Sequence, residues 1–236
     1  RAIAAAQGVP CGTISHQEAH IWAAMWGLPQ LTTPPSRFLA VHLSGGTTEA
    51  VLVDGVGEEH LSRPRVEIVG ATGDISAGQF VDRVGTALGL PFPCGPALEE
   101  LAWAGEAGQV RLPSAVRERR ISFSGPETAA QQAIHAGASA ADVALGVLCC
   151  LGESLQLWIR NVAKSAGSVD VVLAGGVMAN RFLRESLNMS DALSAFHLWF
   201  APPELSCDNA VGVAAWAACL LSSRPISALP DRGQRT

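Results

Sequence analysis

Two glycine pairs, each placed where a run of strand length stops, restrict this chain more than any other feature of it. Residues 169–174 are a largely apolar run that ends on Gly175-Gly176, and helical spacing begins at once over residues 177–187. A strand that feeds a glycine turn and then a helix leaves the unpaired N–H groups of the first helical turn beside the loop, where an anion or nucleotide can approach the backbone. The second pair lies in Ser44-Gly45-Gly46-Thr47-Thr48, between runs at 37–43 and 48–53 that read as the arms of a hairpin. Its backbone N–H groups and hydroxyls suit a phosphate or an acyl-phosphate. One such turn is an ordinary tight turn; two in one chain favour a nucleotide pocket. The expected fold is mixed α/β, with the ligand held at the turns.

Helical spacing is also predicted over residues 16–26, closed by Gly27, and over 76–90, with Phe80, Val81, Val84 and Leu88 on one face and Gly89 at the end. Residues 97–105, 127–136, 140–165 and 209–221 read as further helices. Strands are expected at 9–15, 65–69 and 195–200, and residues 28–36, with Pro29, Pro34 and Pro35, read as a linker. Residues 1–7 read as the last turns of a helix closed by Gly8 with no N-cap signal before them, so the sequence predicts something upstream of Arg1. The polar stretch after Ser222 reads as a loose tail.

With 236 residues and 48% hydrophobic content the chain can bury a substantial core. No apolar run is read as approaching the roughly 20 residues of a membrane span, and the start lacks the layout of a signal peptide. No membrane association and a cytoplasmic location are therefore expected. Among the six cysteines there is no C-x-x-C pair, and Cys149-Cys150 sits inside an apolar segment, so buried reduced thiols are expected. A net charge of −5 argues against a protein that grips nucleic acid unaided. The densest basic stretch, Arg117, Arg119 and Arg120 broken by Glu118, reads as a solvated helix end.

His16 and His20 stand at i and i+4 on a predicted helix, so both imidazoles leave one face and can clasp one metal ion. Taken alone, such a pair is more often a surface or packing feature. Glu18 is the second residue after His16 rather than its neighbour, which leaves a zinc-protease helix without its general base. Asp208, in Ser206-Cys207-Asp208-Asn209-Ala210, reads either as a helix N-cap or as a carboxylate reaching a metal. His42 is central in a strand and reads either as a ligand or as a hydrogen-bonded histidine of the sheet. Asp74 and Asp82 bracket residues 75–81; both can be solvated acids, and Asp82, on the helix, can accept from hydroxyls. Pro91-Phe92-Pro93-Cys94-Gly95-Pro96 is a rigid loop in which Gly95 lets a ring pack on the backbone.

Seven motifs, taken in order, resemble the family of universal tRNA N6-threonylcarbamoyladenosine synthesis proteins, formerly labelled glycoprotease. They are His16-Gln17-Glu18-Ala19-His20, the Ser44 to Thr48 turn, Gly73-Asp74 through Asp82, Phe92 to Pro96, Ser122-Phe123-Ser124-Gly125, Gly175 to Arg181, and Cys207-Asp208-Asn209-Ala210. The resemblance covers residues 1 to about 221. It implies an actin/Hsp70/sugar-kinase-like (ASKHA) α/β fold, represented by mainly the second lobe with part of the first. Residues 1–36 would be a remnant of the first lobe carrying the metal-binding helix, 37–224 the second lobe with the nucleotide-binding turns, and 225–236 the tail.

By the same resemblance His16, His20 and Asp208 would ligate one iron or zinc ion. His42 is a further candidate ligand, because it stands two residues before Ser44, where a tyrosine of archaeal and eukaryotic members reaches the metal. Leu43, Ser44, Gly45, Gly46, Thr47, Asp82, Gly95 and Asn180 would line the pocket for an adenine nucleotide or threonylcarbamoyl-adenylate. The implied reaction is attack by the exocyclic amine of the adenosine beside the anticodon on the carbamoyl carbon, releasing AMP. The implied partners are tRNA, reached through partner subunits, and other threonylcarbamoyladenosine-synthesis proteins. No catalytic side chain is assigned, since the family's first phosphate loop and acidic catalytic residue belong to an N-terminal segment of roughly a hundred residues. Thr47 stands for the usual His or Asn, Gln79 for a common Glu, Cys94 for a Gly and Glu127 for a Lys. Two alternatives follow from these departures: a non-catalytic nucleotide-binding paralogue that scaffolds a modification complex, or a related carbamoyltransferase. The protease label has no nucleophile with its base to support it.

Overall fold

The computed structural model of this protein describes residues 6–8, 12–28, 35–56, 64–206 and 210–222. Its described strands are β1 (Arg37–Leu43), β2 (Thr48–Asp54), β3 (Arg65–Thr72), β4 (Ala115–Arg117), β5 (Arg120–Ser122), β6 (Asp170–Ala174) and β7 (His197–Phe200). They form one sheet in the order β4-β5-β3-β2-β1-β6-β7. The first three strands make an antiparallel meander, as expected for short turns between alternating runs. Strand β6 returns parallel to β1 after a long helix, and β7 lies parallel to β6.

The described helices are α1 (His16–Trp26), α2 (Ala77–Ala87), α3 (Gly95–Ala102), α4 (Ser124–His135), α5 (Ala140–Ala166), α6 (Arg181–Asn188) and α7 (Val211–Ser222). Alternation along β1 sorts them into two layers. Leu39, Val41 and Leu43 join a core built with α2, α5 and α6, whereas Phe38 and Ala40 join a second core with Ile21, Ala24, Met25 and Leu28 at α1. His42 is in phase with the second set and faces α1. Helix α1 packs directly on this sheet, and α7 crosses α1 so closely that a Cβ on Gly212 would lie 1.7 Å from the Ala19 carbonyl oxygen.

Helix α5, 27 residues long, is long and apolar enough by length and composition to cross a membrane, which corrects the reading that no such run exists. Its apolar face is spent within the core: Leu151, Leu155, Trp158, Ile159 and Val162 are fully buried, each worth about 1.5–3 kcal/mol relative to exposure. Gly167 closes it in the left-handed conformation at φ 64°.

The expected helices and strands are largely present, with three differences. Residues 12–15 form no strand; Ser15 instead caps α1, its Oγ accepting from Glu18 N and the Glu18 carboxylate accepting from Ser15 N. Residues 9–11 of that expected strand lie outside the described residues, as do most of the 28–36 linker and the tail. The helix expected over 177–187 is divided into a 3₁₀ turn, Gly176–Ala179, and α6, because the Asn180 side chain caps Leu183 N–H and ends the first segment. The Arg117–Arg120 stretch is a β-hairpin turn, with Glu118 at φ 50°, rather than a helix end. Cys94 and Cys150 are buried and unbridged. Burial first, then the Glu153 and Cys149 charges against a lowering Ser154 bond, push the Cys150 thiol up to about 11, so it stays protonated at neutral pH.

Candidate metal and nucleotide site

The site begins with the pairing of β1 and β6. His42 lies opposite Ala174 in that parallel register, so Ser44-Gly45-Gly46 and Gly175-Gly176 leave the same end of the sheet side by side. Gly175 makes the juxtaposition: at φ 99° it approaches β1 so closely that a Cβ would stand 2.2 Å from the Leu43 carbonyl oxygen. Only glycine fits there. By contrast, Cβ positions on Gly45, Gly46 and Gly176 meet nothing within 4 Å, leaving the backbone of both turns open to a ligand. This is the strand-end crevice at which open α/β sheets bind ligands.

The Ser44 turn is fixed from below. Ser44 N–H donates to the Thr47 carbonyl (2.8 Å) and Thr47 N–H to Ser44 Oγ (3.1 Å). The start of α2 braces it: Ser76 Oγ donates to the Gly45 carbonyl (2.7 Å), Ala77 N–H to Thr48 Oγ1 (2.8 Å) and Gly78 N–H to the Ser44 carbonyl (3.2 Å). Gly78 is required, since its Cβ would fall 2.6 Å from Gly45 Cα. Gln79 completes a capping box with Ser76, a role that Glu and Gln share, which accounts for one departure from the family pattern. These bonds occupy the Ser44, Gly45 and Thr47 carbonyls.

Asp82 does not reach a ligand alone; its Oδ1 accepts from Cys94 N–H at 2.8 Å. Together with Gly85, whose Cβ would collide with Cys94 Cβ at 2.3 Å, it pins the proline loop and hence Gly95 at the start of α3. Buried Cys94 fills that joint. Glu99 of α3 then accepts from Arg181 N–H (2.7 Å) and Phe182 N–H (3.1 Å), tying α3 to the start of α6 beside Asn180. Glu127 sits in the first turn of α4 and accepts from Gln131 Nε2, where a carboxylate suits the helix dipole.

Asp74, which the sequence allows as a solvated acid, is instead the hydrogen-bonded hub that joins the start of α2 to β5 and the start of α4. It accepts from the Ser122 and Ser124 hydroxyls and from the N–H groups of Ile75, Phe123 and Ser124. Partial burial would raise its pKa, but these bonds outweigh that and hold the carboxyl well below the usual range. Two of the sequence motifs carry this pair of segments, Gly73-Asp74 through Asp82 and Ser122-Phe123-Ser124-Gly125.

On the α1 side three imidazoles are in contact. His16 Nε2 and His20 Nε2 are 3.2 Å apart, with the rings edge to face at 4.6 Å. The His42 ring stacks on His20 at 4.3 Å and 26°. His20 and His42 are buried and His16 exposed. Two nitrogens bound to one zinc at roughly 2.0–2.1 Å with a tetrahedral angle would be about 3.3 Å apart, so the helical pair fits a two-imidazole clasp. Among the described residues no group of three His, Cys, Asp or Glu side chains converges as a metal site. Asp208 lies outside the described residues. Trp199 Nε1 and His197 Nδ1 meet Asp170 at the far end of β6 (3.4 and 3.1 Å), away from these imidazoles.

The nucleotide candidates and the histidines therefore lie on opposite faces of the sheet. Asp82, Gly95 and Asn180 belong to the α2, α3 and α6 layer, His16, His20 and His42 to the α1 layer, and the Ser44 turn is their shared edge.

Residues 1–215 match the family model described as TsaD: tRNA N6-adenosine threonylcarbamoyltransferase. Among solved structures, the fold is similar to full-length HypF in its phosphate- and nucleotide-bound form, with TM-score 0.67 and 15% identity over 90% of this chain and 36% of that one. HypF of T. kodakarensis gives 0.70 and 16% over 94% and 38%. The activator of the 2-hydroxyisocaproyl-CoA dehydratase from Clostridium difficile, with bound ADPNP, gives 0.52 and 15% over 94% and 72%. These likenesses support the actin-like α/β fold. The chain spans little more than a third of the HypF proteins it matches.

Proposed function

The chain belongs to the TsaD family, tRNA N6-adenosine threonylcarbamoyltransferase, and on that premise we propose that it holds threonylcarbamoyl-adenylate across the Ser44 turn for transfer of the threonylcarbamoyl group to a tRNA adenosine. Transfer of a carbamoyl-type group is the coarser reading; tRNA as acceptor is the finer one. The observation that carries the transfer reading is the meeting of two open glycine turns with a cluster of imidazoles at one sheet edge; the tRNA reading is supported by the family match.

The adenylate end would lie over the α2, α3 and α6 side, with the open backbone at Gly45, Gly46 and Gly176 receiving the phosphate and Asn180 and Gly95 bordering the nucleoside. The carbamoyl end would then cross the edge toward the histidines. One iron or zinc ion held by His16, His20 and Asp208, with His42 against His20, would supply Lewis-acid polarisation of the carbamoyl group. This chain's own residues do the rest: the braced Ser44 turn fixes the phosphate before reaction, and Gly175 keeps the two turns in register. The exocyclic amine attacks the carbamoyl carbon, the bond from that carbon to the adenylate phosphate oxygen breaks, AMP leaves with that oxygen, and the attacking nitrogen gives up one proton to solvent.

Incubation of the protein and its partner subunits with labelled threonylcarbamoyl-adenylate and tRNA should label the tRNA with release of AMP. Adenylate binding without labelled tRNA would instead favour the scaffolding paralogue, and turnover of carbamoyl phosphate alone would favour a different carbamoyltransferase.

A further inference from the structure

The basic tip of the β4–β5 hairpin is a motif that the site does not use. Arg117, Glu118, Arg119 and Arg120 are all exposed there. Arg117 and Arg120 stand directly opposite in the antiparallel ladder, a placement in which like charges repel. Among the described residues no carboxylate lies within ion-pair distance of Arg117, Arg119 or Arg120. Glu118, at φ 50°, holds a backbone conformation uncommon for its residue type. A chain with net charge −5 thus gathers three uncompensated guanidinium groups on one strained turn.

The tip is also rigid. Trp158 Nε1 donates to the Arg119 carbonyl (2.8 Å), Asn161 Nδ2 to the Glu118 carbonyl (3.3 Å) and Ala71 N–H to the Arg119 carbonyl (3.3 Å). All of these bonds hold main-chain carbonyls, so they fix the turn while the side chains stay at the surface. The Arg120 guanidinium runs back toward the candidate site: its Nη2 is 3.3 Å from where a Cβ on Gly73 would stand. Gly73 adjoins Asp74, whose loop opens α2, and α2 braces the Ser44 turn. Basic tip and ligand turn are two ends of one hydrogen-bonded stretch.

We propose that this tip docks the phosphate backbone of the RNA acceptor, guiding it to the sheet edge. The identity of the polyanion rests on the tRNA reading above; the patch itself rests on charge and geometry. Arginine is the suited residue, because its planar fork engages phosphate oxygens two at a time. Three ion contacts released by salt give a slope of log affinity against log salt that is steeper by about 2–3.

The test compares the protein with the triple variant Arg117→Gln, Arg119→Gln, Arg120→Gln and with Glu118→Gln, each assembled with its partner subunits, measuring tRNA affinity from about 50 to 200 mM salt, AMP binding and the thermal midpoint. The triple variant should bind tRNA at least about tenfold more weakly at the low-salt end, with a slope shallower by about 2–3. Its AMP binding should be unchanged and its midpoint equal or slightly higher, because the opposed charges are gone. Glu118→Gln, which removes the single opposing charge, should bind tighter. Equal affinity and slope in the protein and triple variant, or no tRNA binding by the protein at low salt, overturns the dock. Equal competition by polyglutamate also overturns it, in favour of an acidic protein partner. Loss of AMP binding by the unmodified protein, with the arginine-dependent slope intact, would sink the site reading and leave the dock standing.

Discussion

Replacing Gly175 with Ala tests the idea that the two glycine turns are held together by one backbone contact. The new methyl carbon would stand 2.2 Å from the Leu43 carbonyl oxygen, 2.6 Å from its carbon and 2.8 Å from its nitrogen. Since an ordinary contact is about 3.5 Å or more, β1 and the 3₁₀ turn must separate by about 1 Å. The obstacle is main chain in the ladder that pairs His42 with Ala174, so no rotamer change relieves it. An alanine held at φ 99° and ψ 157°, a region essentially reserved for glycine, adds about 1–3 kcal/mol, and displacing well-packed backbone another 1–3 kcal/mol; a loss of about 2–6 kcal/mol follows. For a domain of this size that is a fall in Tm of at least about 4 °C. Calorimetry and urea unfolding followed by tryptophan fluorescence, which reports on fully buried Trp158, give the loss directly, and titration with AMP should show binding weakened at least about tenfold. Gly176→Ala is the control: its Cβ meets nothing within 4 Å, and its stability should change by about 0.5 kcal/mol or less. Equal stability of the two variants, or normal AMP binding by Gly175→Ala, would refute the reasoning.

Three other perturbations address the remaining parts of the site. A His16→Ala, His20→Ala double variant should lose bound iron or zinc in elemental analysis while keeping AMP binding, because the imidazoles and the nucleotide residues lie on opposite faces; metal retained at full stoichiometry would remove the pair from the ligand set. Asp74→Ala should cost about 2 kcal/mol in urea unfolding, given several hydrogen bonds to a charged but largely exposed group. Because its folded pKa is lowered, the Asp74 contribution should be complete above the ordinary carboxylate value and fade only in strong acid, so the gap between protein and variant should stay constant from about pH 5 to 8; a gap that closes at pH 5 contradicts the assignment. Asn180→Ala should cost about 1 kcal/mol through the lost cap on α6 and lower AMP affinity further than Asn180→Asp, which retains the cap.

Local periodicity and capping chemistry are written along the chain, and they determined α1, α5, the β1–β2 hairpin and the strand before Gly175 within a residue or two, and α2 within three. The same local code placed His16 and His20 on one helical face, which allows the 3.2 Å approach that their rotamers complete. Ordered motifs identified the family. What escaped was non-local. The hub at Asp74 binds residues 48 to 50 positions further along, Glu99 reaches across 82 positions to Arg181, and His42 meets His20 only because alternation in β1 turns it toward α1. The β4–β5 hairpin was missed because three-residue strands carry too little alternation, and its positive-φ position is a glutamate rather than glycine or asparagine. The 177–187 helix was read as continuous because apolar spacing persists through Asn180, where a side-chain cap overrides it. Hydrogen-bond partners distant in sequence leave no period for a local reading to detect. The division of the candidate site into a nucleotide face and an imidazole face, joined at the Ser44 turn, was therefore decided by tertiary structure, through the parallel register of β1 and β6.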